Sequence, residues 1–335
     1  MGYNSALTPI VFVEIGRSPS KYLKNNLSII RGLFPNRKII VIVSSKFSNQ
    51  KLGDNVDLIV EETIAKNSNW IRFESIHKRW SGLQQNYWTN TTKRFFVLGK
   101  YMEQNQLERI IHLESDSVLL SEKNLDIEYN DTNWGIKYPK QNNFHGCASI
   151  LLVNKFEIFN KFLEFIVDNW SRSEITDMEL LSEYASTEEQ ALYLPSGDLV
   201  QRASTYIFDG VSIGRFFLGS DARNQRFPFS SRGQRDMTQG SLALVKPEIK
   251  LNAQGVLVYK DIDSSELELV NIHMHSKRIP KSYKALEKII LSDSRGRVNP
   301  LLRLGAFDKL VFAERLVSFL NRRILRKKHF EFRLR

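Results

Sequence analysis

Short apolar runs alternate with helical patterns along the first half of the chain. Residues 8–15 and 38–44 (KIIVIVS) are mainly apolar and rich in β-branched side chains, and residues 22–33 between them have helical spacing. A strand that is apolar at successive positions is typical of a parallel sheet that helices cover on both faces. Further strands are predicted at 56–60, 109–113, 135–138 and 149–153, and further helices at 93–104 and 156–170. We therefore expect an α/β fold with a mostly parallel central sheet between two layers of helices.

The second half of the chain is less regular. Strands predicted at 256–259 and 267–274 are expected to close the same sheet, and TEEQ at 187–190 has the pattern of a capping box that begins a helix. Residues 220–241 contain four arginines and no periodicity, which is typical of a binding loop or lid. The predicted organisation is one α/β domain over residues 1–290, followed by a basic helical extension over residues 291–335.

The net charge of +11 is concentrated at the C-terminal end. Residues 295–335 contain twelve Lys or Arg residues and three acidic residues, so the rest of the chain is nearly neutral. Within this region, an apolar stripe that includes Leu310 and Leu320 is surrounded by arginines. A basic amphipathic helix of this kind is suited to lie on an anionic membrane surface. The alternative is a helix that packs on the main domain with its basic face in solvent.

Cysteine content and hydropathy indicate the compartment. Cys147 is the only cysteine, which excludes an intramolecular disulfide and a cysteine-based zinc site. The sequence shows no secretory signal pattern and no apolar segment of the ~18 residues that a membrane-spanning helix needs. We therefore expect a cytoplasmic protein, peripheral to the inner face of the membrane if the basic extension binds lipid.

The segment IHLESDSVLL at residues 111–120 interrupts an apolar strand with two carboxylates, Glu114 and Asp116. Both follow the predicted strand at its carboxyl end, which is the edge where open parallel sheets bind ligands. In an extended segment, residues two apart point to the same side. Burying two carboxylates costs free energy that a cation or a dense hydrogen-bond network normally offsets. The pair is therefore the first candidate for a metal or catalytic site.

The same segment resembles the Asp-x-Asp motif of nucleotide-sugar glycosyltransferases of the GT-A fold, with Glu in the first position. In those enzymes the motif holds a divalent metal on the donor diphosphate, and hard cations prefer such oxygen ligands. The resemblance implies that Asp116 binds Mn²⁺ or Mg²⁺ directly, whereas Glu114 acts through water or toward the ribose. It also implies that the donor substrate is a nucleoside-diphosphate sugar.

A late strand extends the resemblance. LVNIHMHSK at residues 269–277 places His273 and His275 on one side of a predicted strand, with Lys277 just beyond. By resemblance, one histidine completes the metal shell and Lys277 contacts the donor diphosphate. A neutral imidazole added to carboxylate ligands suits manganese. Both histidines stay candidates, because their spacing to the lysine differs from that of the known families.

Other donor-binding candidates lie in the first half of the chain. Arg94, in the predicted helix KRFFVLGKYM, resembles a basic residue that contacts donor phosphates in this superfamily. Glu14 and Arg17, at and after the first strand, are further candidates. HGCASILLVN (145–154) and TEEQALYLP (187–195) resemble acceptor-side segments of several GT-A families, so that the likeness extends over roughly residues 8–285.

Three carboxylates are candidates for a general base. An inverting transfer needs a base near the acceptor hydroxyl, and Asp209, Asp221 and Glu189 are the candidates, whereas a retaining transfer needs none. Each has a structural alternative, as a turn-forming Asp or as a favourable charge at a helix N-terminus. The segment FDGVSIGRFFLGSDARN (208–224), together with HLE-x-D and HxHSK, also resembles a set of uncharacterised bacterial proteins.

The resemblance predicts a metal-dependent glycosyltransferase that moves a sugar to a glycan or lipid-linked acceptor in bacterial surface polysaccharide synthesis. One alternative is a protein that binds nucleic acid or another polyanion through the basic extension. Another is a metal-dependent phosphoesterase that uses the same acids and histidines. We expect no nucleic-acid partner, because no helix-turn-helix, zinc or single-strand-binding motif accompanies the arginines. Two-metal hydrolases usually need more carboxylates or histidines than this sequence places at strand ends.

Overall fold

The computed structural model of the chain describes residues 8–16, 19–76, 85–142, 145–172, 175–196, 204–214, 248–260, 266–274 and 277–293. The strands are β1 (Ile10–Glu14), β2 (Ile39–Val43), β3 (Val56–Val60), β4 (Ile110–Leu113), β5 (Ser117–Leu119), β6 (Ile136–Asn142), β7 (His145–Gly146), β8 (Ile150–Val153), β9 (Ala191–Leu194), β10 (Tyr206–Ile207), β11 (Glu248–Leu251), β12 (Leu257–Lys260), β13 (Glu266–Leu269) and β14 (Asn271–His273). The α-helices are α1 (Lys21–Leu33), α2 (Ser68–Ser75), α3 (Gln85–Gln104), α4 (Lys123–Asn130), α5 (Phe156–Asn169), α6 (Asp177–Thr187) and α7 (Tyr283–Asp293).

The central sheet is mixed but mostly parallel. Its strand order is β3-β2-β1-β4-β8-β6-β7, and β9 also pairs with β6. β1 runs parallel to both β2 and β4, β2 runs parallel to β3, and β6 runs parallel to β9. β8 runs antiparallel to both β4 and β6. Every residue of β2 and of β4 is buried, which is why these strands are apolar at successive positions. The α/β prediction is therefore confirmed.

Helices cover both faces of this sheet. On one face, α2, α3, α5 and α6 pack on alternate strand residues such as Val11 and Ile42. On the other face, α1 and α4 pack on the intervening residues, including Ile10 and Phe12. Full burial of a side chain of this kind contributes about 1.5–3 kcal/mol relative to exposure. Both layers of helices therefore stabilise the sheet. Residues 114–116 follow β4 at the carboxyl edge of this sheet.

The late strands do not close the central sheet, so this part of the prediction was wrong. They form a separate four-stranded sheet of order β10-β13-β12-β11, and β14 pairs with β5 in a two-stranded sheet. β12 and β13 are antiparallel neighbours whose apolar residues pack with those of α7 and with Ile29 of α1 in a third core. The run predicted as one strand over 267–274 is interrupted at Val270, where the chain passes from one small sheet to the other.

The helix predicted to begin at TEEQ was also wrong, because α6 ends there, at Thr187. The residues after TEEQ alternate as in a strand and form β9. The capping box belongs to the start of α6, where Thr176 Oγ1 accepts from the N–H of Glu179 and the Glu179 carboxylate accepts from the N–H of Thr176. α3 begins at Gln85, earlier than the predicted start at residue 93.

The predicted basic extension lies almost wholly outside the described residues. α7 crosses residue 290 and ends at Asp293, and residues 294–335 are not described. In the part of the chain that is described, no helix combines the length and the apolar character that a membrane crossing requires.

Candidate active site

Glu114 and Asp116 lie at the carboxyl end of β4, in the tight turn that joins β4 to β5. The N–H of Ser117 donates to the carbonyl of Glu114 at 2.9 Å, which closes the turn. From α1, the fully buried side chain of Asn26 donates to the carbonyls of Ser115 and Ser117 at 3.2 and 2.7 Å. A helix in the core therefore holds the backbone that carries the two acids.

β14 brings His273 to this turn from a distant part of the sequence. β5 and β14 are antiparallel, and His273 lies opposite Ser117 in their register. The N–H of Met274 also donates to the carbonyl of Asp116 at 2.7 Å. The pairing of these two short strands therefore sets the position of the imidazole relative to the acidic turn.

Three potential ligand atoms meet beside the turn. One atom each from Glu114, Asp116 and His273 lies within 4.8 Å of the others. His273 Nε2 is 3.3 Å from Glu114 Oε2 and 3.5 Å from Asp116 Oδ1. Lys277 adds a fourth group, because its Nζ is 2.5 Å from Asp116 Oδ2 and 5.3 Å from the centre of the Tyr22 ring. The structure therefore brings together four of the residues that the sequence analysis selected.

Arg94 reaches this cluster from α3 and joins two carboxylates. Its Nη1 donates to Glu114 Oε1, and its Nη2 donates to Asp177 Oδ2 at 2.9 Å. The Arg94 and Asp177 side chains are 10% and 4% exposed, so Glu114 is paired with a buried guanidinium that is itself paired with a second, buried carboxylate. Both terminal nitrogens of Arg94, the predicted phosphate contact, are thus engaged with carboxylates.

Asp177 is a site residue that the sequence analysis missed. It is the first residue of α6, where an acidic residue is explained by its favourable interaction with the helix N-terminus. The available signal was the capping box Thr176-x-x-Glu179, which marks the true start of this helix. That boundary would have identified Asp177 as the first residue of a helix, whereas its contact with Arg94 is seen only in the structure.

Opposing charges determine the ionisation of the cluster. Burial raises the pKa of both acids, but Arg94 and His273 lower the pKa of Glu114 to about 2, and Lys277 and His273 lower the pKa of Asp116 well below its ordinary value. Burial lowers the pKa of His273, yet Asp116 and Glu114 raise it well above that of free histidine. At neutral pH the two carboxylates are therefore ionised, and His273 is a charged imidazolium with a proton on each ring nitrogen.

Asp209, one of the candidate bases, lies behind His273 and is 1% exposed. Its Oδ1 accepts from the N–H of Ile213 at 3.0 Å, and its Oδ2 accepts from the N–H groups of Gly214 and His273 at 2.7 and 2.8 Å. Because both carboxylate oxygens are engaged with backbone donors, this geometry favours a positioning role over a general base.

The remaining candidates fall into two groups. Glu14 is buried at the end of β1, next to β4 in the sheet, and Glu189 is exposed in the turn between α6 and β9. Arg17, Asp221 and His275 lie outside the described residues, so the structure places only one of the two histidines.

The donor set fits a single hard divalent cation. Two carboxylates and one imidazole are the ligand types that Mn²⁺ accepts, and the acids alone suit Mg²⁺. Within the described ranges, no second group of three acidic, histidine or cysteine side chains gathers in this way.

No protein-family model matches the sequence, and no curated protein matches it either. Solved structures match parts of it. PaToxG glycosyltransferase is 16% identical over 52% of this chain and 64% of its own, with a TM-score of 0.38. The galactosyltransferase LgtC, in complex with donor and acceptor sugar analogs, is 14% identical over 57% and 74%, with a TM-score of 0.37. GlyE of Streptococcus pneumoniae is 13% identical over 88% and 61%, with a TM-score of 0.40. The likeness is partial, and this chain spans less than two thirds of the PaToxG and GlyE structures.

Proposed function

We propose that this chain is a metal-dependent glycosyltransferase that uses a nucleoside-diphosphate sugar as donor. The supporting observation is the convergence of Glu114, Asp116 and His273, with Lys277 beside them, at the carboxyl end of β4. Open α/β sheets bind ligands at this edge. A cation held by these three ligands, together with the ammonium of Lys277, would provide positive charge where a diphosphate would lie.

Each residue has a distinct role in this proposal. Asp116 and His273 hold Mn²⁺ or Mg²⁺, and Glu114 presents Oε2 to the same site while Arg94 retains its Oε1. When bound, the cation neutralises negative charge on the leaving diphosphate. Lys277, whose ammonium pairs with Asp116, transfers that contact to a diphosphate oxygen of the donor.

Other predicted residues complete the proposal. Glu14 and Arg17 contact the nucleotide part of the donor, because Glu14 lies on the strand next to β4 at the same sheet edge. For an inverting reaction, Asp221 or Glu189 serves as the base that takes the acceptor proton. A retaining reaction uses neither.

The proposed acceptor is a glycan or a lipid-linked glycan, as in the assembly of a bacterial surface polysaccharide. The segregated charge of residues 295–335 supports this choice, because a basic amphipathic helix concentrates an enzyme at an anionic membrane surface. In this proposal, the enzyme is peripheral to the inner face of the membrane.

A panel of nucleoside-diphosphate sugars tests the function. We expect one donor to release its nucleoside diphosphate in the presence of Mn²⁺, with loss of this activity when a chelator is added or when Asp116 is replaced by Asn. The matched control is Asp57→Asn, which removes an exposed carboxylate paired with Lys38 in the same sheet and should leave turnover unchanged.

The alternatives give different results in the same experiment. Metal-dependent cleavage of a simple phosphoester, with every nucleotide sugar inert, would indicate a phosphoesterase. Salt-sensitive binding of nucleic acid without any turnover would indicate a polyanion-binding protein.

A further inference from the structure

A polar side chain continues the pairing between β10 and β13 beyond their last backbone hydrogen bond. The N–H of Val270 donates to the carbonyl of Ile207 at 3.0 Å, in line with the β10–β13 ladder. One step further, the side chain of Asn271 replaces a backbone, because its Nδ2 donates to the carbonyl of Asp209 and its Oδ1 accepts from the N–H of Asp209, both at 3.0 Å. Asp209 is thereby held against β14.

The carboxylate of Asp209 then closes a loop around the end of β14. An ionised carboxylate only accepts hydrogen bonds, and this one faces three backbone donors, the N–H groups of Ile213, Gly214 and His273. The side-chain oxygens of Asp209 thus join residues 213 and 214 to His273. The approach is close, since a Cβ added at Gly214 would overlap the carbonyl oxygen of His273.

The same segment contacts the imidazole. The carbonyl of Gly210 lies 2.5 Å from His273 Nδ1, and a carbonyl oxygen can only accept, so Nδ1 carries a proton. This contact leaves Nε2 as the nitrogen that faces Glu114 and Asp116. In metal sites, the partner of the second ring nitrogen determines the tautomer and the ring orientation of a ligating histidine.

We propose that Asp209 is a positioning residue, which, through residues 209–214, holds His273 with Nδ1 protonated and Nε2 directed at the two acids. The inference rests on the metal role proposed above for His273. Asp209 touches neither acid of the cluster through a described hydrogen bond, and it acts through the backbone N–H groups of Ile213, Gly214 and His273. It therefore belongs to the supports of the site, not to its chemistry.

Asp209→Asn in the full-length protein is the direct test. The amide places a donor where one of two oxygens now accepts, so either Ile213 or the pair of Gly214 and His273 loses its acceptor. We expect the affinity for Mn²⁺ alone, measured by electron paramagnetic resonance of the free ion, to fall about tenfold or more, as for other partners of ligating histidines. An affinity equal to that of the unaltered protein would overturn the proposal.

Glu128→Gln is the matched control for loss of a buried carboxylate. Glu128 is 5% exposed and accepts hydrogen bonds from Lys137 and Tyr206, both at 2.7 Å, and none from the cluster among the described hydrogen bonds. We expect this variant to lower the melting temperature without changing the affinity for Mn²⁺. An equal loss of Mn²⁺ affinity in both variants would assign the effect of Asp209 to general destabilisation and contradict a positioning role.

A measurement on the unaltered protein keeps the proposal testable if Asp209→Asn does not fold. Nuclear magnetic resonance of ¹⁵N-histidine-labelled protein, assigned with His273→Gln and recorded at a pH at which the imidazole is neutral, should show that His273 keeps its proton on Nδ1 and has none on Nε2. Absence of that proton would overturn the proposal. If the proton is present but Mn²⁺ does not bind, the proposed function fails while the positioning of His273 stands.

Discussion

Lys277 and His273 contact different oxygens of the Asp116 carboxylate. Lys277 Nζ lies 2.5 Å from Oδ2, and His273 Nε2 lies 3.5 Å from Oδ1. Asp116 is 5% exposed, so water contributes little to its stabilisation and the two cations must supply most of it. Changes at this residue should therefore affect ion binding and both basic groups together.

We expect Asp116→Asn to weaken Mn²⁺ binding by about 100-fold or more, because loss of a ligand should exceed the ~10–100-fold effect of losing a supporting residue. The amide keeps the shape of the side chain and removes its charge, so the fold should persist. Calorimetric titration with Mn²⁺ and UDP measures the affinity, and circular dichroism monitors the fold. Unchanged affinity would exclude Asp116 from the metal site.

Arg94→Met should destabilise the protein by about 3–5 kcal/mol, because it leaves the buried Asp177 and the partly buried Glu114 without their shared cation. Denaturation by urea measures the free energy of unfolding. Arg72→Met is the control, since Arg72 and Asp168 form an ion pair at 3.2 Å with side chains 59% and 64% exposed, and such pairs contribute about 0–1 kcal/mol. Equal effects of the two substitutions would contradict the buried network.

Mn²⁺ binding should release a proton from His273 at neutral pH. The raised pKa of His273 means that the ion-free protein keeps this proton above the pH at which free histidine loses it, whereas a ligating imidazole is neutral. Affinity for Mn²⁺ should therefore rise with pH until His273 is deprotonated in the ion-free protein. Calorimetry at one pH, in buffers with different ionisation enthalpies, counts the released protons. The count should fall in His273→Gln, and an equal count in both proteins would contradict this assignment.

The sequence-based prediction for the basic extension concerns residues that the structure does not describe. Truncation after Arg303 should abolish salt-sensitive binding to vesicles that contain anionic lipid, because each cation near the surface contributes about 1 kcal/mol. Donor hydrolysis should be unchanged. Neutral vesicles are the control for apolar insertion. Insolubility of the truncated protein would instead indicate that this segment packs on the main domain.

Much of the central sheet could be predicted from the sequence, because burial on both faces requires apolar residues at successive positions. The same reasoning placed Glu114 and Asp116 at the carboxyl edge, since two carboxylates directly after a buried strand are costly to bury and indicate a site that stabilises their charge. These inferences depend on local sequence, and the local signals agree with the tertiary structure.

Pairings between distant segments could not be predicted in this way. β5 and β14 have three residues each, and nothing in Val118 or Ile272 indicates that the two strands lie side by side. Asp177 looks like any acid at a helix start until Arg94 is seen beside it. Asp209 similarly looks like a turn residue or a base, and only its three backbone donors assign it to the support of His273.

The pairing of β5 with β14 has a consequence for the order of folding. Asp116 and Lys277 are 161 residues apart in sequence. A contact over such a separation forms slowly, because it must overcome the conformational entropy of closing the loop between the two residues. We therefore expect the acidic turn to form with the central sheet, and the imidazole and the ammonium to join it late. An ion that needs all of them stabilises the native state more than the folding transition state. Mn²⁺ should therefore slow unfolding and leave the rate of refolding nearly unchanged.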